Sequence, residues 1–215
     1  MDAAGGATAA DVAPAKRVRR PALVVVDMQN DFVRVGAPLE VPDARLTIDP
    51  INRLIGAFRD RGHPIVFTRF LSREEENLLW LWSPQCRPDT RCCWKGFRRS
   101  YGDAAGELDC AGIVEELAPQ AQDLVVDKHG YGAFHGTDLE SNLQALGVTS
   151  LVVTGTVTQI CVEETAREAF HHGYRTTMVS DGVSSFAPDL HAATLKNFAM
   201  KYGWVADAAT VRTWL

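Results

Sequence analysis

Long apolar runs are missing from this chain. The strongest, Ala22 to Val26, stops at Asp27, far short of the roughly 20 apolar residues that a membrane-crossing helix needs. An excess of positive charge is missing too: 22 Lys and Arg stand against 27 Asp and Glu, for a net charge of −5. A phosphate backbone or an anionic membrane therefore has no broad basic face to meet, and neither nucleic acid nor membrane is expected as a partner. The first strand is not followed by G-x-G-x-x-G or G-x-x-x-x-G-K-[ST] but by Asp27-Met-Gln-Asn-Asp31, so a nucleotide-binding turn is excluded there. Residues 1–20 lack the continuous apolar stretch of a secretory leader. They contain no serine and carry Asp2 and Asp11, which also argues against an organellar transit peptide. They read as a flexible tail ahead of one domain over residues 21–215. Cysteine is scarce and odd in number, five in all. Without a leader, that count points to free thiols in a reducing compartment, the cytoplasm by default.

What is present is a rhythm. Ala22–Val26 is short, apolar and rich in β-branched residues, as a strand buried on both faces of a parallel sheet reads. Similar runs recur at 64–68, 123–126, 150–154 and 175–180, with a sixth, poorly signalled, near Trp204–Ala206. Helical patterns lie between them. Ile51, Leu54, Ile55 and Phe58 share one stripe opened by Asp49-Pro50. Thr137 with Glu140 forms a capping box ahead of Leu139, Leu143 and Leu146. Further helices are expected over 161–170 and around Leu195–Tyr202. The alternation predicts a three-layer α/β/α fold on a doubly wound, mostly parallel sheet of about six strands. Residues 71–118 break the rhythm, with Trp80, Trp82, Trp94 and four cysteines among turn formers. They read as an elaborated crossover able to cover a site as a lid or an oligomer contact.

Three polar residues fall where buried strands end: Asp27, Lys128 and, a short loop beyond Leu151–Thr154, Cys161. In open α/β sheets, sites form outside the carboxyl ends of the strands where strand order reverses. Taken singly, the Asp is a cap, the Lys a solvated surface residue and the Cys a small buried hydrophobe. As a set they carry chemistry. Gly155-Thr-Val-Thr-Gln-Ile-Cys161 joins a strand to a helix and puts the thiol at the helix N-terminus, where the dipole and free N–H groups favour a thiolate and an oxyanion. Thiols are commonly activated by histidine, but of the six histidines only His129 lies near a predicted strand end, where Lys128 already stands. Cys86, Cys92, Cys93 and Cys110 contain no C-x-x-C spacing, so free thiols or one disulfide are expected rather than zinc.

Val26-Asp27-Met-Gln-Asn-Asp31-Phe32, then Lys128 with Tyr131-Gly-Ala-Phe134, then Gly155-Thr-Val-Thr158-Gln-Ile-Cys161-Val162 resemble, in order and spacing over about residues 20–205, the isochorismatase-like cysteine hydrolases. The resemblance implies that Asp27, Lys128 and Cys161 form the catalytic triad. It also implies a cis Thr156–Val157 peptide, an oxyanion hole from the backbone N–H groups of Val157 and Cys161, no cofactor, no metal, and a homo-oligomer, dimer or tetramer. Members that cleave a vinyl ether lack the cysteine, so Cys161 implies hydrolysis of a C–N bond in a small amide or ureido compound through a thioester. Nicotinamidases carry an Asp-x-His metal motif where this chain reads Phe67-Thr-Arg-Phe-Leu71, which sets nicotinamidase-like activity behind amidohydrolysis of ureido and related substrates. A catalytically idle binding or assembly member of the fold is the alternative from another class. Phe32, Arg69, Tyr131, Phe134 and Gln159 are candidate substrate-binding residues. Arg69 would pair a substrate carboxylate bidentately, while for Phe32 and Phe134 a place in the core competes.

Overall fold

A computed structural model describes residues 8–215. Its strands are β1 (Pro21–Val26), β2 (Ile65–Phe70), β3 (Arg98–Ser100), β4 (Glu107–Asp109), β5 (Leu124–Lys128), β6 (Ser150–Thr156), β7 (Arg175–Ser184) and β8 (Trp204–Ala206). Its helices are α1 (Pro14–Arg17), α2 (Asn30–Val33), α3 (Ile48–Arg59), α4 (Leu79–Trp82), α5 (Leu139–Ala145), α6 (Glu163–His171), α7 (Pro188–Lys201) and α8 (Ala208–Arg212). Six strands form a parallel sheet in the order β5-β2-β1-β6-β7-β8, and β3 and β4 form a separate antiparallel hairpin.

Side-chain alternation along β1 explains the three layers. Leu23 and Val25 join Ile51, Leu54, Phe58 and Val211 of α3 and α8 in one apolar cluster. Ala22, Val24 and Val26 join Leu139, Leu143, Ala166, Ala169 and Phe198 of α5, α6 and α7 in the other. The chain moves outward from β1 to β2 and β5, then returns to β6 on the opposite side of β1. Strand order thus reverses between β1 and β6, where an open α/β sheet leaves its crevice. Gly155 makes that junction possible. Its φ is +107°, and a Cβ there would lie 2.0 Å from the Val26 carbonyl oxygen.

Several local expectations are corrected. Asp49 does not cap α3: a 3-10 turn over Pro42–Thr47 runs directly into the helix, so the stripe begins a residue earlier, at Ile48. The capping box at Thr137 is absent. Asp138 is the N-cap of α5, and the Thr137 hydroxyl instead donates to the Ala133 carbonyl at 2.6 Å. Residues 158–162 form one π-helical turn, so α6 starts only at Glu163, after Cys161. The run at 123–126 is not buried on both faces: β5 is an edge strand and Val125 is 44 % exposed. Of the tail expected over residues 1–20, residues 1–7 lie outside the described residues, and residues 8–20 are mostly exposed with a few contacts to the domain. Val18 is buried, the Arg17 guanidinium lies 5.6 Å from the Trp204 ring centre and 5.1 Å from that of Trp214, and the Trp204 indole donates to the Ala9 carbonyl. Among the described residues no helix is long and apolar enough to cross a membrane.

Candidate active site

Asp27 is the first residue beyond β1, with φ +50°. A non-glycine residue rarely adopts that conformation, and it persists where the surroundings impose it. Two bonds to Thr68 on β2 do so: the Asp27 N–H donates to Thr68 Oγ (3.2 Å), and that hydroxyl donates to Asp27 Oδ1 (2.6 Å). The second carboxylate oxygen, Oδ2, faces Lys128 Nζ at 2.7 Å, and both side chains are fully excluded from solvent. Lys128 comes from the far end of β5, two strands away. Its stem crosses β2 with the ammonium 5.6 Å from the Phe70 ring centre, and its other donors reach the carbonyls of Gly130 (3.0 Å) and Tyr131 (2.8 Å). Two ammonium protons are thus held by carbonyls, and the charge is paired with Asp27.

Cys161 sits in the π turn beyond β6, facing both Asp27 and Lys128. The Thr156–Val157 peptide that opens this loop is cis. Thr158 Oγ pins the loop to the rest of the fold through the Ser184 carbonyl (2.9 Å) and His191 Nδ1 (2.9 Å). Burial pushes the Cys161 thiol up to about 12, with Asp27 adding to the rise and Lys128 opposing it. Burial also disfavours the Lys128 ammonium, but the Asp27 carboxylate and the Cys161 sulfur outweigh it, and the Lys128 pKa lies above the ordinary lysine value. At rest, Lys128 thus stays an ammonium and Cys161 a neutral thiol.

A cavity of about 440 Å³ opens on Cys161. Phe32, Phe70, Tyr131, Val157 and Ile160 form its floor, and the crossover contributes Trp82, Ser83 and Gln85. Two of the expected substrate contacts, Phe32 and Tyr131, line it. Three do not. Arg69 points to the other side of β2 and forms a bidentate pair with Asp127 at 2.7 and 2.9 Å, because parallel register sets the two residues opposite each other. Phe134 packs in the core, stacked on His172 with ring centres 4.7 Å apart. Gln159 does not line the cavity, and its amide nitrogen and oxygen are buried without partners. Sequence reasoning passed over Thr68 and Phe70. Thr68 is a fully buried hydroxyl that follows the apolar run Ile65-Val-Phe67, two residues before Phe70, and that polar interruption is the signal that marks it. No histidine lines the cavity. His129 Nδ1 meets the Leu71 carbonyl and His191 meets Thr158.

The crossover is clamped to the β1 loop by two buried residues. The Gln29 amide donates to the carbonyls of Phe70 (2.9 Å) and Ala111 (3.1 Å) and accepts from the Phe70 N–H (2.7 Å). Asp31 accepts from the Tyr101 hydroxyl and the Cys93 N–H and stands 3.0 Å from Arg99 Nε. Cys86, Cys92, Cys93 and Cys110 are all buried free thiols. Asp31, Cys92 and Cys93 lie close enough to share an ion, but both Asp31 oxygens already accept hydrogen bonds and Arg99 balances its charge.

Fold and site together define a doubly wound α/β hydrolase domain with a buried thiol at the switch point of its sheet. The isochorismatase domain model matches residues 21–210, and the chain belongs to that family. It is 34 % identical to the ureidoacrylate amidohydrolase RutB of Methylobacterium radiotolerans, over 87 % of this chain and 76 % of that one. It is 32 % identical to nicotinamidase 3 of Arabidopsis thaliana, over 89 % and 86 %. Among solved structures, a cysteine hydrolase from Pseudomonas syringae pv. phaseolicola superposes with a TM-score of 0.81 at 27 % identity, covering 94 % of this chain and 93 % of that one. The chain is an enzyme of the amidohydrolase kind, acting on non-peptide C–N bonds.

Proposed function

We propose that the chain is a cysteine hydrolase that opens a C–N bond of a small amide or ureido compound through a thioester on Cys161. The observation that carries this is the dry Asp27–Lys128 pair, 2.7 Å apart, beside the one thiol that lines the cavity. Asp27 Oδ2 has no hydrogen-bond donor of ideal geometry, so it is the oxygen free to take a proton. As substrate enters, Asp27 removes the Cys161 proton, the sulfur attacks the carbonyl carbon, and the oxyanion rests on the N–H groups of Val157 and Cys161. The C–N bond breaks as Asp27 returns the proton to the departing nitrogen. Water then gives a proton to Asp27 and its oxygen to the carbonyl. The C–S bond breaks and the thiol recovers the proton. Lys128 keeps a positive charge against Asp27 and the sulfur through both halves. An idle scaffold would have no use for this arrangement, since burying an ion pair costs several kcal/mol of desolvation per ion, on the order of what the pairing returns. The nicotinamidase alternative would need a metal motif on the segment where Arg69 is instead locked to Asp127.

The free, buried thiols support a reducing compartment such as the cytoplasm. Exposed Leu78, Leu81 and Trp82 on one short segment support assembly into a homodimer or homotetramer. Ammonia release from a panel of small amides and ureido acids tests the reading: wild type should turn over at least one compound and form a Cys161 acyl adduct visible by mass spectrometry. Cys161→Ala should do neither, and turnover that survives this substitution would overturn the proposal.

A further inference from the structure

The cavity walls say which amides can enter. Phe32, Phe70, Trp82 and Phe186 supply aromatic faces, and Leu39 and Ile160 supply aliphatic ones. No lysine or arginine lines the space. Three cations of the surrounding structure are already committed. Lys128 is paired with Asp27 and donates to two carbonyls, Arg69 is held by Asp127, and Arg45 pairs at 2.9 Å with Glu40, the only acidic residue among the described residues of the wall. A substrate carboxylate a few atoms from the scissile bond would be stripped of water with no counter-charge, next to Asp27 and Glu40. Burying such a charge unpaired is prohibitive, whereas apolar surface gains by the same transfer.

We infer that this site takes uncharged amides whose acyl group is aromatic or branched aliphatic, and that it turns away ureido acids and other substrates bearing a carboxylate beside the cleaved bond. The inference rests on the cysteine-hydrolase reading and narrows it. It separates this chain from the ureidoacrylate amidohydrolase it resembles at 34 % identity, since that relative's named substrate is an acid.

Two compounds of nearly the same shape test it: 4-methylpentanamide and succinamate, which differ in a terminal isopropyl group against a carboxylate. The neutral amide should be hydrolysed with kcat/KM at least about 100-fold higher, the scale on which a site rejects a group it cannot pair. Phe186→Arg, which sets a cation in the wall, should shrink that ratio at least tenfold by raising succinamate turnover. In parallel, the wild-type thiol should be alkylated by iodoacetamide faster than by iodoacetate, in a ratio at least ten times that of free glutathione, and Phe186→Arg should narrow this ratio as well. This second measurement reads the cavity even if neither amide is turned over. Equal or better use of succinamate, or an alkylation ratio no greater than glutathione's, would overturn the inference while leaving Cys161 catalysis intact. Hydrolysis that persists in Cys161→Ala would instead sink the cysteine-hydrolase reading itself.

Discussion

Lys128 and Asp27 meet across an intervening strand, with the ammonium leaving β5, passing over Phe70 and stopping 2.7 Å from the carboxylate that ends β1. Neither side chain touches solvent, so each is the other's means of staying charged. Lys128→Met should therefore destabilise the fold by about 3–5 kcal/mol, the usual cost of leaving one buried charge alone. Adding Asp27→Asn should cost much less than the sum of the two single changes, because the second removes the stranded charge. Urea unfolding of the four proteins in the cycle measures this, and simple additivity would show that the two residues are not coupled.

Thr68 does not touch the cavity but holds Asp27 by both its N–H and its Oδ1. Thr68→Val keeps the shape and removes both bonds. A hydrogen bond to a charged group is worth about 1.5–3 kcal/mol, so kcat should fall roughly 10- to 100-fold. KM should change little, and the pH dependence of kcat should shift, because the variant alters the base and not the walls. Thr68→Ser should recover most of the activity; failure of that rescue would mean that the methyl group, not the hydroxyl, matters.

The Cys161 thiol, held up to about 12 from an ordinary 9.0, is protonated in the resting enzyme at neutral pH. Alkylation of Cys161 by iodoacetamide should then climb about tenfold per pH unit from pH 7 through pH 9 and beyond, following the thiolate fraction. A plateau below pH 8 would contradict a neutral resting thiol. The linkage has a definite sign. Above pH 9 the unfolded chain releases this proton while the folded one retains it until about 12, so stability is full below pH 9 and falls as pH rises through that window. Cys93 and Cys110, also pushed up to about 12 by burial, add to the same alkaline loss.

Gly155 admits no side chain. Its φ is +107° and an added Cβ would collide with the Val26 backbone at 2.0–2.8 Å. Gly155→Ala should push β6 from the end of β1, costing roughly 1–3 kcal/mol or more and moving Asp27 relative to Cys161. Thermal unfolding and ammonia release should both drop; an alanine variant with wild-type activity would mean that this close approach does not set the site.

The sheet was legible because strands covered on both faces are largely apolar, and β1 and β6 show such runs. The triad candidates were legible for a related reason: a polar residue that ends such a run stands where the sheet opens. What sequence could not supply was lateral register. Arg69 was read as free for substrate because nothing in the chain order says that β2 and β5 pair so that residue 69 faces residue 127. Phe134 and Gln159 lie beside motif residues in sequence, but one packs against His172 and Tyr174 and the other is no part of the cavity wall. The crossover over 71–118 was opaque because its structure is set by isolated polar clamps, Gln29 and Asp31, rather than by any periodic pattern.

Placing Lys128 on the edge strand has a consequence for how activity is acquired. The β2–β5 pairing joins residues 58 apart, Arg69 with Asp127, and Cys161 arrives only with β6 on the other flank. Such distant pairings form slowly in a folding chain. A refolding molecule can bury much of its apolar surface and gain most of its helix signal while Asp27 still lacks its cation. The most distant pairing in the site is β1 with β6, Val24 against Val153, so Cys161 is the last of the three groups to arrive, and the return of turnover, rather than any spectroscopic signal of compaction, becomes the clock for the finished molecule.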